Sequence, residues 1–157
     1  MERRIAVMAR RSFRWLAVLL GALLLYGARP AMAADRLVLI ASINAPVSSL
    51  NSLEIQKLFL GLTVVINGLD VHPLRNESDE AMRQLFYQDV ISMSESTYER
   101  RLLALTLQQG RTAPPVFRDS RALLNAIAAD PHAISYAWAS EVARDGRIRI
   151  LKFLGSE

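Results

Sequence analysis

The chain has 157 residues, 52% of them hydrophobic, which suits one globular core and leaves little room for a second. Its formal net charge of +4 comes from the N-terminus, where residues 1–33 hold six arginines and one acidic residue. Residues 34–157 carry 13 basic and 14 acidic side chains, and this net charge of −1 excludes nucleic acid as a partner. With no cysteine, disulfides and thiolate metal sites are excluded as well.

The N-terminal segment has the three zones of a secretory signal peptide in their usual order. An arginine-rich start precedes an apolar run from Trp15 to Tyr26, and small residues follow at Ala31 and Ala33. The apolar run has 12 residues, whereas a membrane-spanning helix needs about 20. The sequence therefore predicts cleavage between Ala33 and Ala34 and does not favour a retained membrane anchor.

Cleavage at that point divides the chain into two parts. Residues 1–33 are the signal peptide, and residues 34–157 form an exported domain that we expect not to insert into the membrane. We expect the mature protein to be periplasmic or secreted, and of bacterial origin. The pair Arg10-Arg11 matches the core of a twin-arginine signal, so the general and the twin-arginine export routes both stay open.

Strand-like and helix-like segments alternate from residue 34 onward. An apolar run over 36–41 predicts a covered strand, and Asn51 with Glu54 predicts a capped helix that ends at Gly61. Asn67-Gly68 predicts a hairpin turn. Further helices are predicted from Ser78, over 94–108 and over 119–129, with closing strands over 133–137 and 148–152. This order predicts an α/β fold with a mainly parallel sheet flanked by helices.

Residues 34–157 contain no recognised catalytic or metal-binding pattern. The only imidazoles are those of His72 and His132, which are sixty positions apart, and there is neither a cysteine nucleophile nor a Gly-x-Ser-x-Gly sequence. The glycines are too scattered to form a phosphate-binding loop. The sequence therefore predicts a non-catalytic binding protein without a metal or another cofactor.

Several segments, in order and over nearly all of residues 34–157, resemble phosphate-type periplasmic substrate-binding proteins of ABC transporters. These belong to the type 2 periplasmic binding proteins. The similar segments are SSL at 48–50, LEIQKLFLG at 53–61, NG at 67–68, VHPLR at 71–75, the helix at 81–87, the linker at 110–115 and DPHAISY at 130–136. The resemblance implies a single lobe of a fold whose full-length members have two.

The resemblance also implies an anion site that follows Arg75. The family has Arg-x-Asp-x-Ser-Gly-Thr there, and this chain reads RNESDEA over 75–81. The arginine is kept, glutamate replaces the aspartate, and the Ser-Gly-Thr is replaced by a segment with two added carboxylates. Polar groups at the carboxyl end of the first strand are further candidates, because open α/β sheets bind ligands at that edge. The candidate ligand-binding residues are Arg75 as charge anchor with Ser42, Asn44, Asn76 and Ser78.

Two interpretations of function stay open. In the first, the domain binds phosphate or another small oxyanion and serves an ABC transporter. In the second, it has lost its ligand and binds a membrane sensor or a transporter component. The first is the leading interpretation, but the added carboxylates count toward the second, because like charges in a dry site oppose an anion by several kcal/mol. So does the single lobe, because two hinged halves are needed to close on a ligand.

Overall fold

A computed structural model describes residues 35–66 and 68–155. The predicted signal peptide and the predicted cleavage site between Ala33 and Ala34 lie outside the described residues, as does Asn67 of the predicted hairpin turn. Within the described part of the chain, none of the helices is both long enough and apolar enough to cross a membrane.

Eight strands and five helices are described. The strands are β1 (Leu37–Ser42), β2 (Val65–Ile66), β3 (Leu69–Asp70), β4 (His72–Pro73), β5 (Arg75–Asn76), β6 (Val116–Phe117), β7 (Ala133–Trp138) and β8 (Ile148–Phe153). The helices are α1 (Ser52–Phe59), α2 (Glu80–Leu85), α3 (Glu95–Gln109), α4 (Ser120–Ala129) and α5 (Ala139–Val142), and a π-helical segment, Phe86–Ile91, continues α2.

The main sheet has the strand order β4-β7-β1-β8 and is flanked by helices, which confirms the predicted α/β class. Strand β4 pairs with β7 in parallel, but β1 runs antiparallel to both of its neighbours, β7 and β8. The prediction of a mainly parallel sheet is therefore corrected, since two of the three pairings are antiparallel. The chain leaves β1 through α1 and the β2–β3 hairpin, neither of which is a sheet neighbour of β1. The local alternation of strands and helices therefore does not predict the direction in which β1 runs.

The sheet separates two apolar clusters, and β1 contributes to both because its side chains alternate between the faces. Leu39 packs in one cluster with Phe59 of α1. Ile40 packs in the other with Leu123 and Ile127 of α4. All six residues of β1 are buried, as predicted for a strand covered on both faces.

The predicted helix starts are confirmed at three positions and corrected at one. Asn51 forms the capping box of α1 with Glu54, Ser94 caps α3, and Asp119 caps α4. The cap of α2 is Asp79 instead of Ser78. The Asp79 carboxylate accepts from the amide of Met82, so the helix begins one residue later, while the Ser78 hydroxyl points back and donates to Asn76 Oδ1.

Residues 72–77 form an extended segment between β7 and the strand that ends at Phe117. The amides of His72 and Leu74 donate to the main-chain oxygens of residues 132 and 134, at the start of β7. Those of Arg75 and Glu77 donate to the oxygens of residues 115 and 117. With hydrogen bonds on both sides, the segment is fixed in register. It therefore delivers Arg75 and the residues after it to one defined edge of the sheet.

Candidate ligand-binding site

The predicted anchor, Arg75, is buried, and its charge is balanced by other side chains of the protein. Its side chain is only 6% exposed, and Nη2 lies 2.6 Å from Glu77 Oε1 and also pairs with Glu99 Oε1. The same nitrogen donates to the Tyr87 hydroxyl at 3.3 Å, and the guanidinium carbon lies 5.1 Å from the ring centre of Tyr98. These five residues are called the Arg75 cluster below.

The cluster keeps a positive charge at its centre. Burial lowers the pKa of Arg75, but Tyr98, Tyr87 and Glu99 raise it by more, so the net shift is upward. Burial also raises the pKa of Tyr98 and of Tyr87, so both phenols stay protonated at neutral pH. Arg75 is therefore always positively charged. Two neutral phenols and two carboxylates surround it, and an anion that binds there would contact this mixed environment.

All three hydrogen bonds of the Arg75 side chain within the described part of the chain are made by Nη2. A guanidinium carries five N–H donors in a planar fork. Nη1 and Nε consequently have no hydrogen-bond partner among the described residues. These donors are suited to a planar carboxylate or to a tetrahedral oxyanion.

Asn76 and Ser78 lie beside Arg75, and their side chains form hydrogen bonds within the protein. Asn76 is fully buried, and its Nδ2 donates to the main-chain oxygen of Tyr136 at 2.9 Å. Its Oδ1 accepts from the amide of Ser78 at 3.1 Å and from the hydroxyl of Ser78 at 2.6 Å. The two residues thus form a closed turn, in which the Ser78 hydroxyl and one N–H of the Asn76 amide donate within the protein.

The start of α2 is occupied as well. The carboxylate of Asp79 accepts from the amide of Met82 at 2.7 Å, so a side chain of the protein satisfies a donor that an anion would otherwise use. One turn on, Arg83 pairs with Glu80 at 2.5 Å and approaches Glu95 at 3.6 Å. One amide of the helix start is therefore capped from within the chain, and ion pairs line the surface of its first turn.

The surroundings of Arg75 carry more negative than positive charge. The exposed Arg118 side chain approaches Glu77, with its Nε 3.8 Å from Glu77 Oε2. Five carboxylates and three guanidiniums are grouped here, namely Glu77, Asp79, Glu80, Glu95 and Glu99 with Arg75, Arg83 and Arg118. This surplus of negative charge works against an anion that approaches from solvent.

Ser42 and Asn44 are not brought to the same place as Arg75. In the β1–β7 register Ala41 lies opposite Ile134, two residues before Tyr136, and β1 then continues away from Tyr136. The Ser42 hydroxyl accepts from the amide of Asn44 at 3.3 Å, so the two residues bond to each other within their own loop. The two were expected at the ligand-binding edge on the assumption of a parallel β1. Its antiparallel direction puts its carboxyl end at the opposite edge.

Sequence reasoning missed three members of the cluster, Tyr87, Tyr98 and Glu99. Tyr98 is fully buried on α3. Its hydroxyl donates to the main-chain oxygen of Phe59 at 2.5 Å, while its ring faces Arg75. No local pattern relates a residue of α3 to an arginine more than twenty positions earlier, so the contact needed the tertiary structure.

A separate shallow cleft of about 290 Å³ lies at the other end of β4. None of the five predicted ligand-binding residues lines it. His72 does, but this imidazole is half exposed and pairs with Asp130 at 2.7 Å. Residues 35–66 and 68–155 contain no group of three or more His, Asp or Glu side chains that could hold a metal ion.

No family model matches the chain, and no curated protein matches it. Solved structures do share its fold. An ABC-type phosphate transport receptor from Vibrio cholerae aligns with a TM-score of 0.55 and 12% identity, covering 75% of this chain and 46% of the receptor. A substrate-binding protein from Clostridium perfringens with bound phosphate aligns with a TM-score of 0.56 and 18% identity, covering 75% and 44%. PstS from Borrelia burgdorferi gives 0.55 and 15%, covering 75% and 47%.

At these identities the likeness shows the fold, which is mixed α/β and similar to that of periplasmic binding proteins. The first of these structures is a phosphate transport receptor, and the second is a phosphate ABC transporter substrate-binding protein. The chain spans less than half of the length of each of these proteins.

Proposed function

We propose that residues 34–157 form an exported, non-catalytic binding domain that takes phosphate or another small oxyanion at Arg75 and serves an ABC-type transporter. One observation carries the proposal. Arg75 is buried and charged, yet it uses a single nitrogen for its contacts and leaves Nη1 and Nε unpartnered within the described residues. A bidentate oxyanion would pair Nη2 with Nη1 or with Nε, the two nitrogens that have no partner within the described residues.

The fold gives the proposal independent support. Among proteins with this fold, one is described as a phosphate transport receptor and another holds bound phosphate. The position of Arg75 in the chain also corresponds to the arginine of the phosphate-type motif. One lobe by itself contacts a ligand from one side only, so we expect residues 34–157 by themselves to bind more weakly than two closing lobes.

Isothermal titration calorimetry of the processed protein with phosphate and sulfate tests the proposal. Arg75→Lys is the informative variant, because it keeps the charge beside Glu77 but removes the planar fork of donors. We expect it to weaken binding at least about tenfold, as for a lost charge-assisted hydrogen bond. Arg100→Lys, an exposed change on α3, is the matched control. Absence of heat with both anions at millimolar concentration would count against an oxyanion site.

A second candidate function is supported by the satisfied donors and by the negative surplus. Asn76, Ser78 and the start of α2 are closed by contacts within the chain, which is the arrangement expected of a lobe that has lost its ligand. In that case the domain binds a membrane sensor or a transporter component. It would then show no anion-dependent rise in melting temperature but would form a complex with that membrane protein.

A further inference from the structure

We propose that the Glu99 carboxylate is a displaceable internal occupant of the anion position on Arg75, and that an oxyanion binds by replacing it. The inference rests on the proposed function. Glu99 Oε1 pairs directly with Arg75 Nη2, the nitrogen that makes every described polar contact of the guanidinium. A carboxylate and an oxyanion bind a guanidinium through the same N–H donors. A bidentate oxyanion needs Nη2 together with Nη1 or Nε, so the Glu99 oxygen on Nη2 occupies part of the position that the anion would take.

The two carboxylates on Arg75 differ in how firmly they are held. Glu77 is 9% exposed, its second oxygen lies 3.8 Å from Arg118, and its amide is bonded to the main chain of Phe117. The Glu99 side chain is 48% exposed, and Arg75 is its only polar contact among the described residues. Glu77 is therefore a fixed counter-ion, whereas Glu99 can turn into solvent without losing other contacts.

Charge balance makes Glu99 and an oxyanion mutually exclusive. Glu77 alone neutralises Arg75, so Glu99 adds one negative charge to a largely buried group. A bound oxyanion beside both carboxylates would add at least one more, and like charges in a poorly hydrated site repel strongly. Replacement of Glu99 keeps the balance nearly unchanged. We therefore expect an oxyanion to expel the Glu99 side chain from Arg75.

Replacement also carries a signal to the surface. Glu99 lies on α3, so its release would add a free carboxylate to the solvent-facing side of that helix. The occupancy of Arg75 would thus be visible as a charge change on α3 to a protein that contacts this helix.

The test compares inorganic phosphate binding by the processed wild-type protein, Glu99→Gln and Glu95→Gln. Glu95 is the matched control because it lies on the same helix and pairs with Arg83, not with Arg75. We expect Glu99→Gln to tighten phosphate binding at least about tenfold, since it removes a competing charge at the site. Glu95→Gln should change affinity less than about twofold, as an exposed pair does. Melting curves of all three proteins verify that they fold alike.

The outcomes separate the two proposals. If wild type binds phosphate and Glu99→Gln binds it no better, the displacement is wrong and the oxyanion site stands. If both glutamine variants tighten binding equally, a general charge effect replaces the specific role of Glu99, and the inference is overturned. If neither wild type nor Glu99→Gln binds phosphate, the proposed function is overturned and the inference with it. Binding by Glu99→Gln alone would support the competing role of Glu99 but would count against phosphate binding by the unaltered protein.

Discussion

The side-chain amide of Asn76 donates a hydrogen bond of 2.9 Å to the main-chain oxygen of Tyr136, and both residues are fully buried. This bond joins β5 to β7 immediately after Arg75. The same asparagine also accepts two bonds from Ser78, so one side chain fixes both the strand and the turn that follows. The conformation around Arg75 thus depends on Asn76, a buried residue whose side chain bonds to other parts of the protein.

We expect Asn76→Ala to lower the free energy of unfolding by about 2 to 3 kcal/mol. The substitution leaves the Tyr136 oxygen and the Ser78 donors without partners, and a buried unpaired polar group costs about 1 to 3 kcal/mol. Urea denaturation of wild type and variant measures the difference. Asn44→Ala is the control, because that side chain is exposed, and its effect should stay below about 0.5 kcal/mol. Equal effects for the two variants would contradict the structural role of Asn76.

Removing the charge of Arg75 should be strongly destabilising unless Glu77 is neutralised too. Arg75→Met leaves the nearly buried Glu77 carboxylate without its counter-ion, which costs about 3 to 5 kcal/mol. The double variant Arg75→Met, Glu77→Gln should recover most of that loss. Urea denaturation of the two single variants and the double variant gives the coupling energy. Additive effects would mean that the two side chains do not interact as the structure has them.

Two tyrosines should respond in opposite ways to loss of the hydroxyl. Tyr136 is fully buried, and its hydroxyl has no hydrogen-bond partner among the described residues. The Tyr98 hydroxyl, by contrast, donates to Phe59. Tyr98→Phe should cost about 1 kcal/mol, whereas Tyr136→Phe should be neutral or stabilising. Thermal unfolding measures both. A loss at Tyr136 as large as that at Tyr98 would reveal a partner for its hydroxyl.

Asp130 should contribute to the stability only above the acid range. Burial is the largest single influence and raises its pKa, but the amide of His132 and the rings of His72 and His132 together lower it by more, so the folded value lies below the ordinary 3.8. A depressed carboxylate pKa adds stability above the unfolded value, and this is lost as the pH falls through the folded value. Asp130→Asn should therefore lower the urea midpoint at pH 7 and lose this effect well below pH 3.8. A pH-independent difference would contradict the linkage.

The sequence by itself determined those features that depend on neighbouring residues. The capping box of Asn51 and Glu54 predicts the start of α1, and Ser94 and Asp119 predict the starts of α3 and α4, because a cap needs a side chain only two or three residues from the amide it bonds. The alternation of apolar segments was enough for the α/β class. The export signal and its cleavage site stay predictions from the same kind of local pattern.

Only the tertiary structure decided which side chains meet. The antiparallel direction of β1 separates Ser42 and Asn44 from Arg75, and no residue within the strand encodes that direction. The contact of Glu99 with Arg75 joins side chains 24 positions apart in the chain. Such contacts depend on how whole elements pack, and packing is a sum over the core that a local pattern does not contain. Arg75 as an anchor therefore stays a prediction from the sequence, and the tertiary structure shows which carboxylates pair with it.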